Sequence, residues 1–151
     1  MDEVASRLRE KFPDAITNIS SFGDELTVTI KKESILALSR FLKDEFSFDF
    51  LVDVCGVDYL GREPRFEVVY HLLSIRSRSR LRLKVPVPGE SSTLDSVCSV
   101  WKAANWFERE VFDMYGISFN GHPDLRRILN TEDVGGYPLR KDFPLKGLKR
   151  E

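Results

Sequence analysis

The stretch RFEVVYHLLSIRSRSRLRLKVPV, residues 65–87, carries two alternations, and the way they are joined decides the architecture. Phe66, Val68, Tyr70 and Leu72 recur at every second position, as the buried face of a strand requires, and Leu81, Leu83 and Val85 do the same. Parity sets the face of each side chain. The two runs can therefore share one buried face only if the loop between them holds an even number of residues. Arg76 to Ser79 is the expected loop.

Working outward, residues 48–59 also read as a strand, separated from this pair by Leu60-Gly61-Arg62-Glu63-Pro64, whose glycine and proline suit a turn. Leu26, Val28 and Ile30 alternate strictly, and residues 16–21 and 25–30 flank Phe22-Gly23-Asp24 as a β-hairpin. Val4, Leu8 and Phe12 at four-residue spacing predict a short helix stopped by Pro13. Ile35, Leu38, Phe41, Leu42 and Phe46 trace one helical face over residues 33–46. After the break at Pro86, Pro88, Gly89 and Glu90, helical period resumes through Leu94, Val97, Val100, Trp101 and Ala104. A last helix carries Phe107, Val111 and Met114 and ends at Gly116, which suits a left-handed C-terminal cap. The expected fold is α+β: helix, hairpin, helix and three strands in a sheet of about five, then C-terminal helices. No repeat, linker or low-complexity segment interrupts the chain.

The composition bounds the function. A chain of 151 residues, 42% hydrophobic, fits one domain. Residues 1–118 form its α/β body, and residues 119–151 an irregular, partner-docking tail of the same domain. Twenty-three Lys and Arg against 24 Asp and Glu leave a formal charge of -1, which gives no support for nucleic-acid or acidic-membrane binding. Cys55 and Cys98 lie in apolar surroundings without a C-x-x-C, and only His71 and His122 join them, so no zinc-type ligand spacing exists. Buried, reduced thiols of a cytosolic protein are the expectation. The acidic N-terminus and the lack of a long apolar run predict neither export nor a membrane span.

Candidate chemistry is sparse. Arg76, Arg78, Arg80, Arg82 and Lys84 share one parity and line up a basic ridge, either a nucleic-acid surface or a solvated sheet face; the absence of interleaved aromatics favours the second. Glu110 and Asp113 stand three residues apart on the last helix, with Glu108 on a neighbouring strip. As acid and base of a small enzyme, with His122, they lack a nucleophile or metal partner, so ion pairing with Arg109, Arg126, Arg127 or Arg140 is the better reading. His122, between Gly121 and Pro123, suits a hydrogen-bonded turn residue. The tail has too many prolines and glycines for regular structure, yet Phe119, Leu125, Ile128, Leu129, Tyr137, Leu139, Phe143 and Leu145 make it too apolar for water. It must lie against a surface, its own domain's or another chain's.

Glu108-Arg109-Glu110, Asp113-Met114-Tyr115-Gly116, Gly121-His122-Pro123-Asp124-Leu125-Arg126-Arg127-Ile128-Leu129 and Gly136, Pro138-Leu139-Arg140-Lys141-Asp142-Phe143-Pro144-Leu145 closely resemble the signature of one family. It is the 30-kDa subunit of respiratory complex I, the C-type subunit of the bacterial enzyme and the J-type one of chloroplast-type complexes. The resemblance implies a two-layer α/β fold with a mixed sheet. It also implies a non-catalytic scaffold in the hydrophilic arm of a proton-translocating NADH:quinone oxidoreductase, or of a related membrane-bound hydrogenase or other dehydrogenase. The expected neighbours are the 49-kDa subunit, as a separate polypeptide, and the cluster-bearing subunit with which it builds the quinone site. NADH, FMN, iron-sulfur clusters and quinone would belong to partner chains, with no cofactor or metal on this one, no nucleic acid bound and the membrane reached only through the complex. The chain would sit peripherally, on the cytoplasmic side. Glu108, Arg109, Glu110, Asp113, His122, Asp124, Arg126, Arg127, Arg140, Lys141, Asp142 and Phe143 would then serve the subunit interface as one polar lock.

Overall fold

A computed structural model describes residues 1–90 and 92–146 of the chain. In chain order it contains α1 (Asp2–Lys11), β1 (Ile16–Phe22), β2 (Glu25–Ile30), α2 (Ile35–Phe46), β3 (Phe50–Asp58), β4 (Phe66–Ser74) and β5 (Ser79–Val87). There follow β6 (Thr93–Asp95), α3 (Ala104–Tyr115) and β7 (Ser118–Asn120), and two 3-10 turns, Lys32–Ser34 before α2 and Glu132–Val134 after β7, complete the described elements. The first five strands form one sheet in the order β1-β2-β5-β4-β3. Only β2 and β5 run parallel, so the sheet is mixed and the fold α+β.

The parity argument fixes the centre of this sheet. Phe66 faces Val87, Val68 faces Val85, Tyr70 faces Leu83 and Leu72 faces Leu81, all essentially buried. The loop holds four residues, 75–78, one position earlier than expected but of the same even length, so no side chain changes face. Leu26, Val28 and Ile30 of β2 continue the buried face, and Leu8 of α1 with Ile35, Leu38 and Leu42 of α2 belong to the same core. Each such side chain, fully removed from water, contributes about 1.5–3 kcal/mol.

One element differs from expectation. Residues 93–103 do not form a helix, although Leu94, Val97, Val100, Trp101 and Ala104 are all buried as their period requires. Thr93–Asp95 instead pairs in parallel with Ser118–Asn120, and Ser96 N–H donates to the Asn120 carbonyl at 2.9 Å. Turns then carry the chain from Val97 to Ala104, and the Trp101 indole N–H donates to the carbonyl of Phe48 at 2.9 Å. The buried side chains are those of a helical face, but tertiary partners have taken the backbone donors a helix would use. The described C-terminal part thus has one α-helix, and the first residues past 118 belong to a small second sheet.

Two glycines let α3 sit where it does. Tyr115 lies so close over Gly56 of β3 that an added Cβ would fall 2.6 Å from its ring. Gly116 ends α3 at φ 73°, and a Cβ there would meet the Tyr137 ring at 2.5 Å. The left-handed turn and the close approach both require a residue without a side chain.

Candidate functional site

α3 faces the core with one strip and the C-terminal segment with another. On it Asp113 is fully buried, and its carboxylate organises residues 127–130. The backbone N–H groups of Ile128, Leu129 and Asn130 donate to Oδ2 at 3.0, 2.8 and 2.9 Å. The Arg127 guanidinium and the Asn130 amide donate to Oδ1 at 2.9 and 3.1 Å. Burial alone would raise the carboxyl's pKa, but the hydrogen bonds from Asn130, Leu129 and Ile128 together outweigh it and hold the group well below the usual carboxylate range. Arg127 also donates to the Gly136 carbonyl at 3.1 Å and stacks over Tyr137. Neighbouring Arg109, itself buried, donates to the carbonyls of Arg126 and Arg127 and lies over the exposed Trp106 ring.

A second carboxylate anchors the segment further along. Asp58, at the end of β3, takes both guanidinium arms of Arg65 at 2.9 Å and the backbone N–H of Lys141 at 2.8 Å. The hydrogen bond from Arg65 lowers its pKa against the opposing effect of burial. Arg65 reaches on to Asp142 at 2.9 Å. Arg140 Nε donates to the carbonyl of Tyr115 at 2.6 Å, while its guanidinium lies over Phe66 and Tyr137.

The third carboxylate, Glu108, is as buried as Asp113 but, among the described residues, has no arginine. It accepts from the Ser96 hydroxyl at 2.6 Å, from the Val97 N–H at 2.8 Å and from the Cys98 thiol at 3.4 Å. Burial raises its pKa and these donors only partly oppose the rise. Burial likewise pushes the Cys98 thiol up to about 11. His122 lies alongside, with Nε2 3.0 Å from the Asn105 carbonyl and Nδ1 accepting the Asp124 N–H at 3.0 Å. It is the hydrogen-bonded turn residue that its Gly-His-Pro setting suggested.

The residues singled out in the sequence therefore separate. Asp113 pairs with Arg127, one of the four candidate arginines, but Glu110 is exposed and is not its companion. Among the described residues Glu108 pairs with no arginine; its partners come from residues 96–98, where the helical period predicts a helix. Asp124 and Arg126 pair with each other at 2.7 Å in the open, and Lys141 and Asp142 are exposed beside a half-buried Phe143. On the ridge, Arg82 is bound by Glu25 at 2.7 Å and Lys84 by Glu67 at 3.1 Å, which fits a charged sheet face. Asp58 and Arg65 were missed, though parity along Val54, Gly56 and Asp58 places that carboxylate on the buried face, where it needs a cation. Ser96 and Asn130 carry no comparable signal.

Among the described residues no helix is long and apolar enough to cross a membrane. A family model for the "Respiratory-chain NADH dehydrogenase, 30 Kd subunit" matches residues 28–149. The C-type subunit of the NADH-quinone oxidoreductase of Geotalea uraniireducens is 53% identical over 145 residues, covering 96% of this chain and 88% of that protein. Its namesake from Roseiflexus sp. is 54% identical over 144 residues, covering 94% and 83%. Of solved structures, the trypsin-resistant fragment (1-134) of Nqo5 matches with a TM-score of 0.72 at 36% identity, over 82% of this chain and 98% of that one. A chain of the membrane-bound sulfane sulfur reductase, an archaeal respiratory membrane complex, matches with a TM-score of 0.82 at 27% identity, over 95% and 85%.

Proposed function

The chain belongs to the 30-kDa subunit family of the respiratory-chain NADH dehydrogenase, and from that premise we propose that it is a docking subunit without redox chemistry of its own. In this reading it lies in the hydrophilic arm, on the cytoplasmic side, beside the 49-kDa subunit, which builds the quinone site with a cluster-bearing neighbour. Flavin, iron-sulfur clusters, NADH and quinone belong to those other chains.

The observation that carries the reading is how residues 119–146 divide their groups. Backbone donors and arginines turn inward onto Asp113, Asp58 and the Tyr115 carbonyl, while Leu129, Leu139 and Leu145 stand exposed. Single exposed leucines are ordinary, but three on a backbone already pinned by buried carboxylates form a preorganised set of apolar anchors. Exposed Trp106 adds an aromatic one, and Glu110, Asp124, Arg126, Lys141 and Asp142 supply a polar rim. Glu108, Arg109, Asp113, Arg127 and Arg140 then act by shaping this surface from beneath, with His122 and Phe143 half-buried at its margin.

Replacing Leu129, Leu139 and Leu145 together by serine tests this. The purified variant should melt as the parent does, while the yield of assembled complex on native gels falls severalfold. Full assembly would remove the tail from the interface.

The likeness to the sulfane sulfur reductase chain favours a second reading, the same scaffold role in a membrane complex with another electron donor. NADH oxidation by the complex co-purifying with this chain separates the two.

A further inference from the structure

We propose that Cys98, Glu108 and His122 form a binding site for a zinc-class divalent ion. The three come from separate segments, the 96–98 turn, α3 and the turn after β7, and one ligand atom of each lies within 4.8 Å of the other two. Sequence spacing could not reveal such a site. Cys98 Sγ and Glu108 Oε2 are 3.4 Å apart. Tetrahedral zinc with a thiolate at about 2.3 Å and a carboxylate at about 2.0 Å needs those atoms about 3.5 Å apart, so this edge is already formed. The imidazole, within 4.8 Å of both, would have to give up one of its two backbone hydrogen bonds to complete the set, and water would fill the fourth position.

Two independent features point to a cation. Glu108 is 0% exposed and, among the described residues, has no lysine or arginine in ion-pair reach, whereas Asp58 has Arg65 and Asp113 has Arg127. A carboxylate buried without a countercharge is costly, and a dication supplies one. Among the described residues the Tyr70 hydroxyl, also 0% exposed and under the electrostatic influence of Glu108 and Cys98, has no hydrogen-bond partner. It can receive one from a water on the bound ion. Cys98 also lines an open groove of about 640 Å³ with Phe50, Val52 and Phe107, which gives an ion a path in.

Binding would replace the Cys98 S–H proton by the metal, releasing that proton to solvent, since a coordinated thiol is deprotonated outright. His122 Nδ1 turns to the ion in exchange for the Asp124 N–H, while Nε2–H keeps donating to the Asn105 carbonyl, the arrangement that orients metal-bound histidines. Thiolate and imidazole donors select zinc-class ions over magnesium or calcium.

Cobalt(II), an optical stand-in for zinc, tests the site on the full chain. One cobalt per chain should give thiolate-to-cobalt charge transfer and the visible bands of a tetrahedral ion, both removed by added zinc. Zinc should also raise the melting temperature. Cys55→Ser should behave as the parent does. Cys98→Ser and His122→Gln each remove a ligand and should weaken binding by more than the roughly 10–100-fold that loss of a ligand's hydrogen-bond partner costs, and abolish the thermal shift, with each variant's fold checked by circular dichroism without metal. Absence of the cobalt bands in the parent, or their persistence in folded Cys98→Ser, overturns the proposal. If Cys98→Ser does not fold, His122→Gln decides in the same way.

Discussion

Asp113 and Glu110 sit three residues apart on one helix and are opposite in kind. Asp113 is buried under five hydrogen bonds from residues 127–130, whereas Glu110 is exposed. Asp113→Ala should therefore cost the isolated chain about 3–5 kcal/mol, because Arg127 is left without its counterion. Glu110→Ala should stay within about 0.5 kcal/mol, so that any loss of assembly it causes reports on the interface alone. Chemical denaturation of both variants checks this, and equal effects would contradict it. Asp113 also sets a pH dependence. An unfolded aspartate takes up its proton near pH 4, but the folded Asp113 only well below that, so in between the unfolded state binds more protons. Its contribution is complete above about pH 4 and is lost as the pH falls through the lowered folded value. Denaturation midpoints measured downward from pH 5 should fall in the parent and be flatter in Asp113→Asn. Of these residues the sequence disclosed that a carboxylate among large aromatics needs an arginine, but it left four candidates for Asp113 and Glu110 alike, and Arg127 is distinguished only by the fold. Nor did the sequence disclose Glu108's partners, since Ser96 and Cys98 become neighbours only through the turn that follows β6.

At the level of elements, alternation and parity were enough to give the five-stranded sheet, because each strand buries one face and a one-residue slip would turn that face outward. Residues 93–103 misled for a physical reason. Burial at three- and four-residue spacing arises from successive turns as well as from a helix, and what decides between them is the destination of backbone N–H groups, which periodicity does not contain. The junction of α3 with the C-terminal segment was legible at Gly116, whose role as a cap needs only local chemistry; the Tyr137 ring packed against it was not. Gly116→Ala should cost about 1–2 kcal/mol from the left-handed backbone alone and should also displace Tyr137 and with it Arg140. Limited trypsin digestion should then cut after Arg140 or Lys141 faster than in the parent, with residues 16–87 still intact. An unchanged cleavage rate would mean that Asp58 and Arg65 hold that stretch without help from the α3 terminus.

For the whole molecule, composition poses a contradiction in residues 119–151, of which 147–151 lie outside the described residues: too much proline and glycine for regular structure and too many apolar side chains for water. The fold resolves it by using buried carboxylates in place of secondary structure: Asp113 satisfies the backbone of residues 128–130 and Asp58 that of Lys141. This segment is thus fastened to its own domain before any partner arrives. Less ordering entropy is then lost on assembly than the roughly 1–2 kcal/mol per residue of a free tail. Sequence could show that the segment needed a surface. It could not show that its polar atoms would take the domain and leave Leu129, Leu139 and Leu145 exposed, because that division depends on Asp58, far away in the chain. Hydroxyl-radical footprinting of the free chain against the assembled complex measures the division directly. Leu129, Leu139 and Leu145 should label strongly in the free chain and become protected in the complex, while Leu83 and Val85 of the core stay unlabelled in both. Equal labelling of the three leucines in both states would contradict docking through this segment.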